Sequence, residues 1–202
     1  MSVEELLEAV AAEIMVCPRC RLSATRKKAV PGEGSAQSRV MFVGEGPGRN
    51  EDLVGRPFVG QAGKFLDTLL TESGLIRNEV FVCNVARCHP PENRDPLPDE
   101  IEACTPYLNR QIALIKPKLI VPLGKHSTAY VLSKAKLPFD SITKTRGKLY
   151  ETKLWGMQIT IFPTFHPAAA LYNGKYKDQL VEDFRLLGKN LGQGVLGSEL
   201  VR

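Results

Sequence analysis

Val40-Met41-Phe42-Val43-Gly44-Glu45-Gly46-Pro47-Gly48 decides the fold. Four apolar residues in a row read as a short strand buried on both faces, as in a parallel sheet. The strand runs without a spacer into three glycines within five residues. Such a turn lets backbone amides approach a ligand closely, and ligands of open α/β sheets sit beyond the carboxyl ends of strands. A tight turn with no ligand is the competing reading.

Working outward, the same alternation repeats. Ser2 and Glu5 have capping-box spacing, and Leu6, Val10 and Ile14 follow at helical spacing, which predicts a first helix to about Met15. Leu66, Leu69 and Leu70 mark a helix over roughly 62–74, closed by Gly74. Val80-Phe81-Val82 is a second strand ending at Asn84. The proline-rich segment 88–98 is a structured loop, and Pro98-Asp99-Glu100 starts a helix that Ile101, Cys104, Leu108, Ile112 and Ile115 line on one face. Leu119-Ile120-Val121 is a third strand, followed by a helix from about Lys125 to Leu132. Residues 143–163 read as extended, with a turn near Trp155-Gly156 and a fourth core strand from Gln158 to Phe162. A last helix covers about 176–190. The pattern predicts an α/β fold: a three-layer αβα sandwich around a four-stranded, mostly parallel sheet. It predicts one domain over residues 1–202, with a flexible tail from about 191. Gly44–Gly48, Asn84 and His166, each at a strand end, are expected to converge.

Composition agrees with a globular chain. The 202 residues are 43% hydrophobic and 24% charged. No apolar run reaches the roughly 18 residues that span a bilayer, and the N-terminus carries acids where a secretory signal carries bases. A soluble cytoplasmic protein with no membrane partner is expected. The net charge of +5 is uneven: residues 116–153 hold nine bases and two acids, and residues 17–39 six bases and one acid. Two basic stretches on a near-neutral body fit a polyanion partner or a solvated surface.

The glycine turn is not the dinucleotide fingerprint, which needs G-x-G-x-x-G, and Gly124-Lys125-His126-Ser127 lacks the upstream glycine of a phosphate loop. Five cysteines argue against a disulfide framework. Cys17-x-x-Cys20 has chelate spacing, and Cys88 and Cys104 follow later. Four thiolates suit zinc or an iron–sulfur cluster, and spacing does not decide between them. Cys83 lies within a strand and reads as a small buried apolar residue. His89 and His126 read as a loop residue and a helix-start residue.

Taken together, these residues resemble the family 4 uracil-DNA glycosylases of bacteria and archaea. Gly44-Glu45-Gly46-Pro47-Gly48 with Glu51-Asp52, Gly55-Arg56-Pro57-Phe58-Val59-Gly60, Asn84-Val85, Cys88-x-Pro90-Pro91-x-Asn93-Arg94-Asp95-Pro96 and His166-Pro167 carry the resemblance. It runs from Cys17 to about Leu187. It implies excision of uracil from DNA as the first step of base excision repair, by hydrolysis of the N-glycosidic bond. It also implies a 4Fe-4S cluster on Cys17, Cys20, Cys88 and Cys104, and a monomer acting on single- or double-stranded DNA at the nucleoid.

The residue types suit that chemistry. The flipped base needs an aromatic face, which the resemblance assigns to Phe58. The Asn84 amide offers an acceptor to uracil N3–H and a donor to O4. Glu51 matches the position that crowds the C5 side against thymine's methyl. His166 is expected to donate to uracil O2 as negative charge develops, helped by the Gly46 amide. Glu45 is expected to hold the attacking water or balance the sugar cation. Leu171 is expected to wedge into the base stack, while Tyr172 stands where the family carries an arginine. Arg146 and Lys148, in the basic stretch, are expected on phosphates. Intact Glu45, Asn84 and His166 favour an enzyme over a DNA-binding module on the same fold, and the failed fingerprints disfavour a nucleotide-binding enzyme. Gln193-x-x-Leu196 with Leu200 loosely resembles a sliding-clamp-binding box without its paired aromatics, and a frayed C-terminus is the preferred reading there.

Overall fold

The computed structural model describes residues 1–192. The elements are α1 (Val3–Met15), β1 (Glu33–Gly34), β2 (Val40–Gly44), α2 (Arg49–Val54), α3 (Gln61–Glu72), β3 (Phe81–Asn84), α4 (Pro98–Ile115), β4 (Leu119–Pro122), α5 (Lys125–Lys134), α6 (Ile142–Thr145), β5 (Tyr150–Leu154), β6 (Met157–Ile161), α7 (Ala169–Tyr172) and α8 (Gly174–Gly192).

The sheet order is β1-β3-β2-β4-β6-β5. β3, β2, β4 and β6 are parallel, and β1 and β5 pair antiparallel on the two edges. The predicted four-stranded sheet is therefore the core of a six-stranded one. β1 is two residues long, and β5 alternates half-buried with exposed residues, so neither carries the continuous apolar run that marked the core strands. β5 and β6 form a hairpin whose turn is Trp155 and Gly156, both with positive φ (49° and 77°), the pattern of a tight two-residue turn.

Alternation within β2 builds the two core layers. Val40 and Phe42 face α3 and α8, where Phe42 stacks on Phe184 with ring centroids 5.9 Å apart. Met41 and Val43 face α4 and α5 through Leu108, Ile112, Val131 and Leu132. The predicted αβα layering follows from these two faces. α1 is capped as expected, with the Ser2 hydroxyl accepting from the Glu5 amide and the Glu5 carboxylate accepting from the Ser2 amide. Val10 and Ile14 seat it in a third cluster with Cys17, Cys88 and Tyr107. α8 continues to Gly192 and buries Leu191, close to the expected helix end, and the rest of the expected tail lies outside the described residues. Gln193, Leu196 and Leu200 lie outside the described residues. Among those described, no helix is long and apolar enough to cross a membrane.

Register brings the functional strand ends together. Gly44 pairs with Asn84 and Val43 with Pro122. Leu123 bridges Thr164, two residues before His166. β2 lies between β3 and β4, where the chain changes direction across the sheet, and the cleft opens at that point.

Candidate active site

A cleft of about 180 Å³ opens over these ends, lined among others by Glu45, Gly46, Glu51, Phe58, Asn84 and His166. Its floor depends on Gly44. A Cβ there would lie 2.3 Å from Asn84 Oδ1 and 2.8 Å from Phe58 Cζ, so only glycine lets the amide and the ring share one spot. Asn84 is 1% exposed, and its Oδ1 has no hydrogen-bond partner. A buried acceptor left unpaired costs about 1–3 kcal/mol, which a donor on a ligand would recover.

Phe58 is held in a left-handed conformation, with φ of 54°, which is unfavourable for a bulky residue. Two features over-determine it. Glu51 Oε1 accepts from the amides of Val59 (2.8 Å) and Gly60 (2.9 Å), just past the ring. Gly63 packs so closely that a Cβ would lie 1.8 Å from the Phe58 carbonyl oxygen. Glu51 thus lines the cleft and also braces the aromatic loop.

His166 stacks beside Phe58, with ring centroids 5.5 Å apart and planes 27° from parallel. The Ala168 amide donates to its Nδ1 at 3.1 Å. That bond assigns the neutral tautomer with the proton on Nε2, leaving an N–H donor. Burial pulls the His166 pKa down to about 4, only partly opposed by Glu51. The imidazole is therefore a neutral donor at ordinary pH. Glu45 is pushed the other way, above the usual carboxylate value, chiefly by burial.

The structure gives positions near the cleft to residues that the sequence marked only as loop, helix-start or motif positions. His89 clasps the glycine turn, its Nδ1 2.9 Å from the Pro47 carbonyl. His126 Nε2 lies 2.9 Å from Asp95 and 3.9 Å from the Glu45 carboxylate. Arg94 lines the cleft and grips the fully buried Glu100 with two bonds of 2.6 and 2.8 Å. The adjacency of Arg94 and Asp95 to the prolines of 88–98 was the available signal. His126 had none, because only the fold brings the start of α5 to the glycine turn.

Comparison with known proteins settles the family. The family model described as the uracil DNA glycosylase superfamily matches residues 31–185. The chain is 52% identical to the type-4 uracil-DNA glycosylase of Saccharolobus solfataricus over 89% of its own length and 83% of that protein's. It is 54% identical to that of Sulfurisphaera tokodaii over 89% and 82% of the two chains, and 45% identical to that of Thermotoga maritima over 84% and 85%. The chain belongs to the uracil-DNA glycosylase superfamily. Its similarity at this level is to the type-4 enzymes.

In this glycosylase the cysteines separate into two groups. Cys83 is fully buried in the sheet face with Met41 and Val43. Cys17, Cys20 and Cys88 meet where α1 ends, in a cluster with Tyr107 of α4. Cys104 of α4 lies close enough to feel Cys88 and Cys20, and burial first, then those neighbours, raises its thiol to about 11 against the amide of Arg87. Arg26 ties the group together, donating to the Cys17 carbonyl at 2.7 Å and to Cys88 Sγ at 3.3 Å.

The residues expected on DNA divide as well. Leu171 and Tyr172 of α7 are exposed, five and six residues past His166, and Lys148 is exposed. Arg146 is not available to phosphate. Its guanidinium bonds Asp183 (2.7 and 2.9 Å), Glu182 (3.2 Å) and the Gln179 carbonyl (2.7 Å), and lies over the Phe165 ring. Asp183 in turn accepts from Thr164 Oγ1. Arg146 therefore braces the segment that carries His166. Its basic character was legible, but its buried acidic partner lay 37 residues away on α8.

Proposed function

We propose that this chain excises uracil from DNA by hydrolysing the bond between uracil N1 and the deoxyribose C1′, with the cleft over Asn84 as the site. The observation that carries the reading is the unpaired Asn84 Oδ1 at the cleft floor, beside the Phe58 face. Uracil N3–H supplies the missing donor, and O4 accepts from the amide nitrogen. Cytosine presents the opposite pattern on that edge, which leaves buried groups unpaired and is strongly disfavoured. Phe58 stacks on the flipped base. As the bond breaks, electrons pass to the uracil ring, and the neutral His166 donates from Nε2 to O2. The Gly46 amide assists, and Glu51 limits room at C5. Glu45 holds the water that adds to C1′ and receives its proton. The products are free uracil and an abasic site.

Release of uracil from a uracil-containing oligonucleotide tests the assignment. Asn84→Ala is expected to slow it roughly 1000-fold, and Asn84→Asp to lose the preference for uracil over cytosine. An Asn84→Ala rate within a few-fold of wild type overturns the role of Asn84.

Cys17, Cys20, Cys88 and Cys104 are proposed to hold a 4Fe-4S cluster. Cys17, Cys20 and Cys88 share one hydrophobic cluster at the end of α1, and Cys104 lies within electrostatic reach of Cys88 and Cys20, which supports a common site for the four thiols. Bound there, the cluster cross-links α1, the loop after β3 and α4. Brown protein with four irons per chain is expected, and stoichiometric zinc without sulfide overturns it. The proposed working unit is a monomer and a single domain, acting on chromosomal DNA in a prokaryotic cytoplasm. Leu171 is proposed as the wedge in the base stack, and Lys148 as a phosphate contact.

A further inference from the structure

Glu45 sits on a well-fixed backbone with a poorly fixed side chain. The Ala86 amide donates to the Glu45 carbonyl at 2.9 Å, and the Val85 amide to that of Gly44 at 3.0 Å, which pins the turn to the end of β3. The carboxylate, in contrast, makes no hydrogen bond among the described residues, and its ion-pair neighbour there is His126 Nε2, at 3.9 Å, beyond hydrogen-bond distance. A glutamate that must face a water and a developing sugar cation needs something to limit where it swings.

The geometry points to His126, held by Asp95, as the positioning residue that fixes where the Glu45 carboxylate lies during hydrolysis. The inference rests on the reading of Glu45 as the water-holding acid. Three observations carry it. First, one ligand atom from each of Glu45, Asp95 and His126 lies within 4.8 Å of the others, the only such triplet of His, Cys, Asp or Glu among the described residues. Second, both outer members sit on rigid supports. His126 is in the first turn of α5, whose N-cap is Gly124. Gly124 has φ of +92°, donates to the Thr164 carbonyl at 2.8 Å, and packs so that a Cβ would lie 3.0 Å from His166 Cβ. Asp95 follows Arg94, whose grip on the buried Glu100 fixes the loop, and Arg94 also donates to the Asp95 carbonyl at 2.9 Å. Third, neither His126 nor Asp95 lines the cleft, so neither is placed to touch the base. Their shared neighbour is Glu45.

The electrostatics have a definite sign. Burial raises the Glu45 pKa, His126 opposes that, Asp95 adds to it and Lys125 opposes it. Removing His126 removes an interaction that opposes the burial shift, so Glu45 keeps its proton to higher pH. The acid limb of the rate profile then moves toward neutrality. A residue that merely packs would not move that limb.

Single-turnover excision from a uracil oligonucleotide, measured across pH beside DNA affinity, tests this. His126→Ala is expected to lower the plateau rate about tenfold, move the acid limb up and leave affinity unchanged. His126→Gln, which keeps an N–H donor there, is expected to recover most of the plateau. Asp95→Asn is expected to lose part of the rate, and the double change Asp95→Asn with His126→Gln no more than the worse single change, because Asp95 acts through residue 126. An unmoved limb and plateau in His126→Ala, or a loss shared equally by affinity and rate, overturns the proposal. Should His126→Ala fail to fold, the His126→Gln and Asp95→Asn cycle decides: losses that multiply overturn it. Glu45→Gln in the same assay separates the two readings. A normal rate there overturns the role of Glu45 itself. A slow Glu45→Gln beside a normal His126→Ala overturns only the positioning.

Discussion

The cleft and the cysteine-bearing end are built on opposite principles. In the cleft, polar groups are held apart from one another: Asn84 Oδ1 has no partner, and His166 keeps a free N–H. At the cysteine end three of the four thiols are buried and Cys20 is half-buried. Cys17, Cys88 and Cys104 are 9%, 4% and 3% exposed, Cys17 and Cys88 pack with Val10, Ile14 and Leu22, and Arg26 donates to the Cys17 carbonyl and to Cys88 Sγ. One end leaves hydrogen bonds open for a transient ligand. The other gathers four thiols, of which Cys88 and Cys104 are pushed up by burial, a cost that the proposed cluster would offset by holding them as thiolates.

The contrast predicts opposite failures. Replacing a proposed ligand at the closed end should cost the most, because the cluster would tie the end of α1 to α4 and to the loop after β3, beyond what Val10, Ile14 and the Glu13–Arg110 pair supply. Cys88→Ser is expected to abolish iron content and unfold the N-terminal segment, read by iron analysis and by protease cleavage before residue 31. A cleft substitution should leave the fold alone. His166→Ala is expected to cut the single-turnover rate roughly 100-fold with DNA affinity unchanged. Full iron and normal protease resistance in Cys88→Ser would erase the distinction between the two ends.

A pH series sharpens the same comparison. The His166 pKa of about 4 lies below the ordinary 6.5, so the folded protein keeps this ring neutral where the unfolded chain takes up a proton. Its contribution to stability is fully present above pH 6.5 and is lost as pH falls toward 4. Activity should therefore show no step near 6.5 from His166. The acid limb should follow Glu45, whose pKa is raised, and Glu45→Gln should remove it. A step near 6.5 that His166→Ala abolishes would mean the imidazole works as a cation.

The two ends also differ in how far the sequence exposed them. The core strands were legible because β2, β3 and β4 are apolar runs and β6 alternates apolar with polar residues up to Phe162, with polar turns standing out beyond their ends. Asn84 and His166 converge through parallel register, a consequence of topology that alternation alone conveys. The edges were not legible: β1 is two residues, and β5 has a polar side. Spacing at the cysteine end named Cys17 and Cys20 as a pair. It could not choose a metal, since that depends on how far apart the fold sets four sulfurs. His126 and Asp95 were invisible for a related reason. Their meaning lies in a contact across 31 residues, and each alone looks like an ordinary helix-start or loop residue.

The smallest effects concern charge at the surface, where Arg146 and Lys148 make a matched pair two residues apart. Arg146 is mostly buried against Asp183, itself 2% exposed, so Arg146→Ala strands a buried carboxylate and is expected to cost about 3 kcal/mol of stability. Calorimetry should show that loss, while excision per folded molecule should fall only as far as the His166 segment loosens. Lys148 is exposed and has no ion pair among the described residues. Its loss should leave stability within about 0.5 kcal/mol. If it touches phosphate, Lys148→Ala releases one fewer counterion on binding, and the dependence of log affinity on log salt should flatten by about 0.9. The affinity change should be the same for every DNA sequence, because phosphate carries no base information. The two variants thus separate by readout rather than size: one moves the melting curve and not the salt slope, the other the reverse. A slope unchanged in Lys148→Ala would assign that lysine to solvent and leave the DNA face to α7.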